Sequence, residues 1–176
     1  MSKISVLMSV YKKENPEYLR ASLESILVQT RTADEILLIE DGPLTQELYQ
    51  VVAEYQKKCD YLHVHAMEQN VQLGRALAKG VELCQYDLIA RMDTDDIAMP
   101  DRLEKEGAYM EAHPEVDVVG GAIREFNDEG TIDRVKNMPK TQEEILEYVK
   151  VRNPLNHMTV CLLYTSPSPR DRSLSR

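Results

Sequence analysis

Short apolar runs alternate with amphipathic stretches along most of the chain. The first run, Ile4–Val10, predicts a strand covered on both faces. Polar residues Tyr11 to Glu14 follow, and Asn15-Pro16-Glu17 predicts a helix start. Asn15 can cap, Pro16 suits the first turn, and Glu17 suits the positive end of the helix dipole. Leu19, Leu23, Ile26 and Leu27 then recur at helical spacing. The alternation repeats with a strand at Glu35–Glu40, closed by the turn signal Asp41-Gly42-Pro43. Thr45 can cap a helix carrying Leu48, Val51, Val52 and Tyr55. Leu62–Ala66 reads as a third strand; Leu73, Leu77, Val81 and Cys84 mark a third helix; residues 86–92 read as a fourth strand. Strands alternating with helices predict an α/β fold: a doubly wound, mostly parallel sheet flanked by helices on both faces.

Beyond the fourth strand the rhythm loosens. Pro100 is expected to open a helix reaching Glu111, with Leu103 and Met110 inward. Residues 116–123 predict a strand interrupted at Gly120-Gly121, and Asn127 to Gly130 a hairpin turn. Thr141 with Glu144 matches a capping box ahead of Ile145, Leu146 and Val149. Residues 157–163 predict a last strand. Residues 1–163 thus form one domain, while 164–176 are rich in Ser, Pro and Arg. That tail buries too little to offset its ordering entropy, so disorder is expected. It reads as foreign to the fold, either a frameshifted end or appended sequence.

Charge and composition narrow the chemistry. The chain has 176 residues and a net charge of -9. The tail carries three arginines against one aspartate, which leaves -11 on residues 1–163. An acidic surface argues against nucleic-acid partners, whose phosphates need Lys and Arg. No run is long and apolar enough for a transmembrane helix. Cys59, Cys84 and Cys161 are too scattered for a disulfide framework or a zinc pattern, so a reducing, cytoplasmic setting is expected. Trp is absent and Phe126 is the only Phe, so Leu, Ile, Val, Met and Tyr must fill the core.

In a doubly wound sheet, ligands bind beyond the carboxyl ends of the strands. Four segments fall there: Val10 to Lys12, Glu40 to Gly42, Asn70 to Arg75, and Asp93-Thr94-Asp95-Asp96. The last is the strongest signal. Three carboxylates so close together repel one another unless a cation compensates. Oxygen-only donors suit Mg²⁺ or Mn²⁺, which is normally completed by waters and phosphate oxygens. A solvated acidic loop is the plainer alternative. Asp41 is open to two readings, a turn acceptor or a partner for a ribose hydroxyl or base N–H. Gly74 can allow close backbone approach, and Arg75 can meet phosphate charge. Lys12, Lys13 and Arg91 are further cations, and Arg91 inside a strand should be paired or at a cleft edge. His63 and His65 share a strand face, where hydrogen-bonded or edge histidines are commoner than metal ligands. Neither GxGxxG nor GxxxxGK[ST] occurs, which disfavours a dinucleotide site and a P-loop.

Several of these pieces, taken together, resemble family-2 glycosyltransferases of the GT-A fold. They are Ile4–Val10 with Tyr11, Asp41-Gly42, Asn70-x-x-x-Gly74, and Ala90-Arg91-Met92-Asp93-Thr94-Asp95-Asp96-Ile97 followed by Pro100-x-Arg102-Leu103-Glu104. Val119-Gly120-Gly121 and Asn153-Pro154-x-x-His157 are similar to later segments of bacterial members that build surface polysaccharides. The resemblance implies a nucleotide-diphosphate sugar donor, with a UDP-sugar first in line, a Mn²⁺ or Mg²⁺ ion, and a glycan or lipid-linked acceptor. It also implies work at the inner face of the membrane. By position, Val10, Tyr11 and Asp41 would contact the base. Asn70, Gly74 and Arg75 would lie near the ribose and diphosphate, and Asp93 near the ribose or sugar. Asp95 would hold the metal, with Asp96 adjacent, and His157 would stand near the donor pocket. The family inverts the anomeric centre with a carboxylate base. That base belongs to an acidic segment after the last strand, which this sequence lacks. The chain therefore reads as a C-terminally truncated donor half. The alternatives are a non-catalytic nucleotide-binding fragment and a sugar-nucleotide pyrophosphorylase, the latter lacking its Gly-rich basic loop after strand one.

Overall fold

The fold is described by a computed structural model for residues 1–127 and 132–164; Ile132 and Asp133 are described by backbone only. Four parallel strands form its centre: β1 (Ile4–Val10), β2 (Glu35–Glu40), β3 (Leu62–Ala66) and β4 (Leu88–Asp93). Three helices link them, α1 (Pro16–Leu27), α2 (Gln46–Lys58) and α3 (Leu73–Leu83). With β5 (Val118–Val119) and β8 (Cys161–Leu163), the sheet order is β3-β2-β1-β4-β8-β5, so the chain steps outward from β1 and then returns to the other side of β1 as β4. Registers such as Ser9↔Asp93 and Val10↔Glu40 align the carboxyl ends of these strands.

The alternation of side chains decides the two layers. Ile4, Val6, Met8 and Val10 face the layer built by Leu19, Leu23 and Ile26 of α1 and Leu48, Val51, Val52 and Tyr55 of α2. Leu7, Leu37, Ile39 and Ile89 face α3 on the other side. The caps work as the sequence predicts: Asn15 accepts from Glu17 N–H and Thr45 from Leu48 N–H. α3 departs from expectation, since its buried positions are Ala76 and Gly80, while Leu73 is exposed. The reason is proximity: a Cβ at Gly80 would lie 2.3 Å from Leu7 Cδ1, so the helix rides directly on the sheet.

α4 (Arg102–Ala112) buries Leu103, Gly107 and Met110 and starts two residues later than Pro100 suggests. Pro100 stays outside because its carbonyl accepts from Thr30 N–H at 2.8 Å. The predicted strand at 116–123 divides into β5 (Val118–Val119) and β6 (Ile123–Phe126), which belong to different sheets. Gly121 between them is held by Thr159, which accepts from its N–H, and by Asn156, which donates to its carbonyl. β6 pairs antiparallel with β7 (Ile132–Lys136); residues 128–130 of the expected hairpin turn lie outside the described residues. α5 (Gln142–Tyr148) carries the capping box of Thr141 and Glu144 but buries no residue.

The last predicted strand also divides. Residues 157–159 form a 3-10 turn, and only β8 (Cys161–Leu163) joins the sheet, antiparallel to β4. Tyr164, assigned to the tail by composition, still donates its N–H to Asp87 O and packs on the α3 side. Residues 165–176 lie outside the described residues. Among the described residues no helix is long and apolar enough to cross a membrane.

Candidate functional site

The switch in strand order between β1 and β4 leaves a crevice at their carboxyl ends. A cavity of 420 Å³ lies there. Ser9, Tyr11 and Glu14 line it from the β1 side, Asp93, Thr94 and Asp95 from the β4 side. Asp41 enters from the end of β2, and Asn70, Gln72 and Leu73 from the segment leading into α3. A larger space of 640 Å³ lies between residues 138 and 151, none of which follows a parallel strand.

Each wall is fixed by specific bonds. Asp41 is buried, and its two carboxylate oxygens accept from Asn70 Nδ2 at 2.9 Å and from Val71 N–H at 2.6 Å. The Asp41 carboxylate thus bonds to a loop distant in sequence rather than within its own turn, and the residue also lines the cavity. Gly42 makes this closure possible. Its φ is +83°, and a Cβ there would sit 2.5 Å from Asn70 N, so only glycine fits. Gln72 also has positive φ, 73° with ψ 151°, at the start of α3. That region is almost confined to glycine and costs about 1–3 kcal/mol.

On the opposite wall the Thr94 hydroxyl donates to Glu14 Oε2 at 2.6 Å, clasping the β4 loop to the β1 loop. Arg91 Nη2 donates to Asp93 Oδ1 at 2.9 Å, which pairs the in-strand cation as expected. Arg91 Nε is buried without a partner among the described residues, an open donor beside this site. Asp96 is half-buried, and its carboxyl is pushed up to about 6, first by burial and then by Asp95 and Asp93. Asp93 and Asp95 reach the cavity; Asp96 is not among its lining residues.

These donors can be tested against a cation. No three His, Cys, Asp or Glu groups among the described residues form a metal cage. Of the four carboxylates that line the cavity, Glu14, Asp41, Asp93 and Asp95, Asp93 and Asp95 lie two residues apart at the end of β4, and such a pair fits a hard ion that keeps waters or phosphate oxygens in its shell.

The other predicted residues stand apart from the cavity lining. Val10 is fully buried with its side chain in the core, so it offers no side chain to a ligand. Gly74 has nothing within 4 Å of a Cβ, so no protein group requires glycine there. Arg75, Lys12 and Lys13 are exposed. His157 is exposed, with its Nε2 2.6 Å from Asn153 Nδ2. Ser9, Glu14, Gln72, Leu73 and Thr94 are lining residues to which sequence reasoning gave no individual role in the site, and Glu14 and Thr94 are bonded to each other. Their pairing joins two strand ends and leaves no local signal.

Comparison with known proteins places the chain in a family and supports its fold. The family model described as glycosyl transferase family 2 matches residues 5–167. An uncharacterized glycosyltransferase of Haemophilus influenzae is 48% identical over 90% of this chain and 59% of its own length. The amylovoran biosynthesis glycosyltransferase AmsE of Erwinia amylovora is 44% identical over 89% of this chain and 58% of its own length. The chain thus spans less than two thirds of these curated relatives. In fold it is similar to S. aureus TarS 1-349 in complex with UDP-GlcNAc, with a TM-score of 0.63 and 23% identity over 73% of this chain and 36% of that one. It is also similar to the mannosyltransferase PcManGT from Pyrobaculum calidifontis in complex with GDP-Man and Mn2+, with a TM-score of 0.62 and 16% identity over 70% of this chain and 36% of that one.

Proposed function

The chain belongs to glycosyl transferase family 2, and from that premise we propose that its cavity binds a nucleotide-diphosphate sugar with a divalent cation. One observation carries this reading: Tyr11, Asp41, Asn70, Asp93 and Asp95, from four separate loops, line one cavity at the switch point. Tyr11 offers an exposed ring to a base. Asp41, already oriented by Asn70 and Val71, offers lone pairs to a ribose hydroxyl or base N–H. Asp95 is the proposed ligand of Mn²⁺ or Mg²⁺, with Asp93 held beside it by Arg91. Asp96 is assigned no direct bond, because it does not line the cavity. A bound dication supplies positive charge against the diphosphate as it leaves.

UDP is the first nucleotide to test. A 35% identical Escherichia coli relative is named UDP-Gal:alpha-D-GlcNAc-diphosphoundecaprenol beta-1,3-galactosyltransferase. A glycan or lipid-linked glycan is the matching acceptor class. Inverting transfer also needs a carboxylate base for the acceptor hydroxyl. Glu14 is engaged by Thr94, Asp41 by Asn70 and Val71, and Asp93 by Arg91. We therefore assign this 176-residue chain donor and metal binding with poor transfer.

Calorimetric titration with UDP, with and without Mn²⁺, tests the proposal. Wild-type protein is expected to bind UDP more tightly with Mn²⁺, and Asp95→Ala to lose about tenfold or more of that metal-dependent affinity, the worth of a charge-assisted contact. Equal affinity in the two proteins would sink the assignment of Asp95. Efficient transfer to a hydroxyl acceptor by the purified chain would overturn the poor-transfer part.

A further inference from the structure

The acidic loop has almost no apolar anchorage. Between Thr94 and Asp101 only Ala98 buries an apolar side chain, while Ile97 and Met99 are each 55% exposed. The pairing of Asp93 with Ser9 and the Thr94–Glu14 clasp fix only the start of this loop. A row of polar side chains on the C-terminal half of α1 and just beyond its end holds the rest. Ser22 is 0% exposed, and Ser25 and Gln29 are 6% exposed each. The Ser22 hydroxyl donates to Asp93 O at 2.9 Å. The Ser25 hydroxyl accepts from Ala98 N–H at 3.0 Å and donates to Ser22 O at 2.7 Å. Gln29 Nε2 donates to Met99 O at 2.7 Å, and its Oε1 accepts from Leu103 N–H at 3.0 Å. Thr30 N–H donates to Pro100 O just beyond. Backbone groups from Asp93 to Leu103 are thus gripped by one helix and the residues after it. None of these three side chains lines the cavity.

We infer that Ser22, Ser25 and Gln29 are positioning residues: they fix the backbone of the 93–103 loop and so set the affinity for a dication–diphosphate without touching it. The inference rests on the proposed function, because it gives the loop a ligand to be positioned for. Burial gives these bonds their value. A buried polar group that loses its partner costs far more than an exposed one, and a carboxylate displaced by a fraction of an ångström no longer meets an ion shared with phosphate oxygens.

The test compares wild type, Ser22→Ala, Ser25→Ala, Gln29→Met and, as a control, Ile26→Val on the apolar side of the same helix. Amide hydrogen exchange without ligand reads the loop; UDP affinity with Mn²⁺ and with chelator reads the site. Expected is faster exchange at 94–103 in the three polar variants with β1 and β2 still protected. Their Mn²⁺-dependent UDP affinity falls about tenfold for Gln29→Met and less for Ser22→Ala, following the number of bonds lost. Affinity in chelator stays at the wild-type value. Ile26→Val is expected to lower the melting temperature and leave affinity unchanged. If Gln29→Met does not fold, Ser22→Ala, which removes one bond, decides alone. Unchanged loop exchange overturns the inference, as does a loosened loop whose Mn²⁺-dependent affinity stays within about twofold of wild type. Wild-type protein that shows no Mn²⁺-dependent UDP binding overturns the proposed function, and the inference falls with it.

Discussion

Residues 1–112 and residues 113–164 are built on different terms. In the first region the strands and helices bury their apolar positions against one another, with Ile36, Leu38 and Ile39 of β2 all fully buried. In the second, α5 buries nothing, β5 has two residues, and Phe126, Val135, Leu146 and Val149 are about half exposed. Val151 is 80% exposed. Both regions have sound local signals: Thr141 makes as complete a cap as Thr45. Local propensity is therefore sufficient to start a helix in either place, and only partner surface makes it part of a core. The cavity stands wholly in the first region, on the ends of strands that the sheet fixes in register.

That contrast can be attacked at its seam. Arg102 and Glu106 of α4 are 10% and 11% exposed, and Arg102 also donates to Arg91 O of β4. Glu106 Oε2 is buried without a partner among the described residues, and burial raises the Glu106 carboxyl above its ordinary range. Arg102→Met is expected to have the largest effect, about 3–5 kcal/mol by urea denaturation, because it strands a buried carboxylate. The pH dependence follows in sign. A carboxyl raised in the folded state stabilises the fold below its unfolded pKa and loses that contribution as pH rises through the folded value. Arg102→Met should therefore recover stability as pH falls from neutral toward the acid range, and flat behaviour would disprove this account.

Leu38→Ala sharpens the same contrast from inside the first region, with an expected loss of about 2–5 kcal/mol. Gln72→Gly should act in the opposite direction. Relief of the positive φ is offset by glycine's greater unfolded freedom, for a net gain near 1 kcal/mol. A lowered denaturation midpoint would argue against strain at that position. The smallest effect belongs to Val151→Ser, within about 0.5 kcal/mol because the residue is a solvated surface position. Light scattering at high protein concentration should nonetheless show less self-association, since it removes exposed apolar area.

Much of the fold is legible in the sequence because its signals are local. Asn15, Thr45 and Thr141 announce helix starts that the structure keeps. The α/β alternation fixes which strand ends converge, and with them the neighbourhood of Asp41, Asp93 and Asp95. What escapes is nonlocal. Gly121 breaks a predicted strand because Asn156 and Thr159 claim its backbone. Residues 157–159 curl into a 3-10 turn instead of continuing β8. Ser22 and Ser25 resemble ordinary polar helix residues, and Gln29 an ordinary residue past the helix end, until the 93–103 loop is laid over them. Asp41 could not be resolved between turn and ligand because Asn70 and Val71, the groups it meets, lie on another loop.

Gln72 sits under tension at the edge of the cavity, on the segment that carries Asn70 and Leu73 to its rim. The folded core holds that tension like a drawn spring. An occupant that let the peptide relax would gain the released energy as tighter grip, whereas one that required the present shape would find the rim already set.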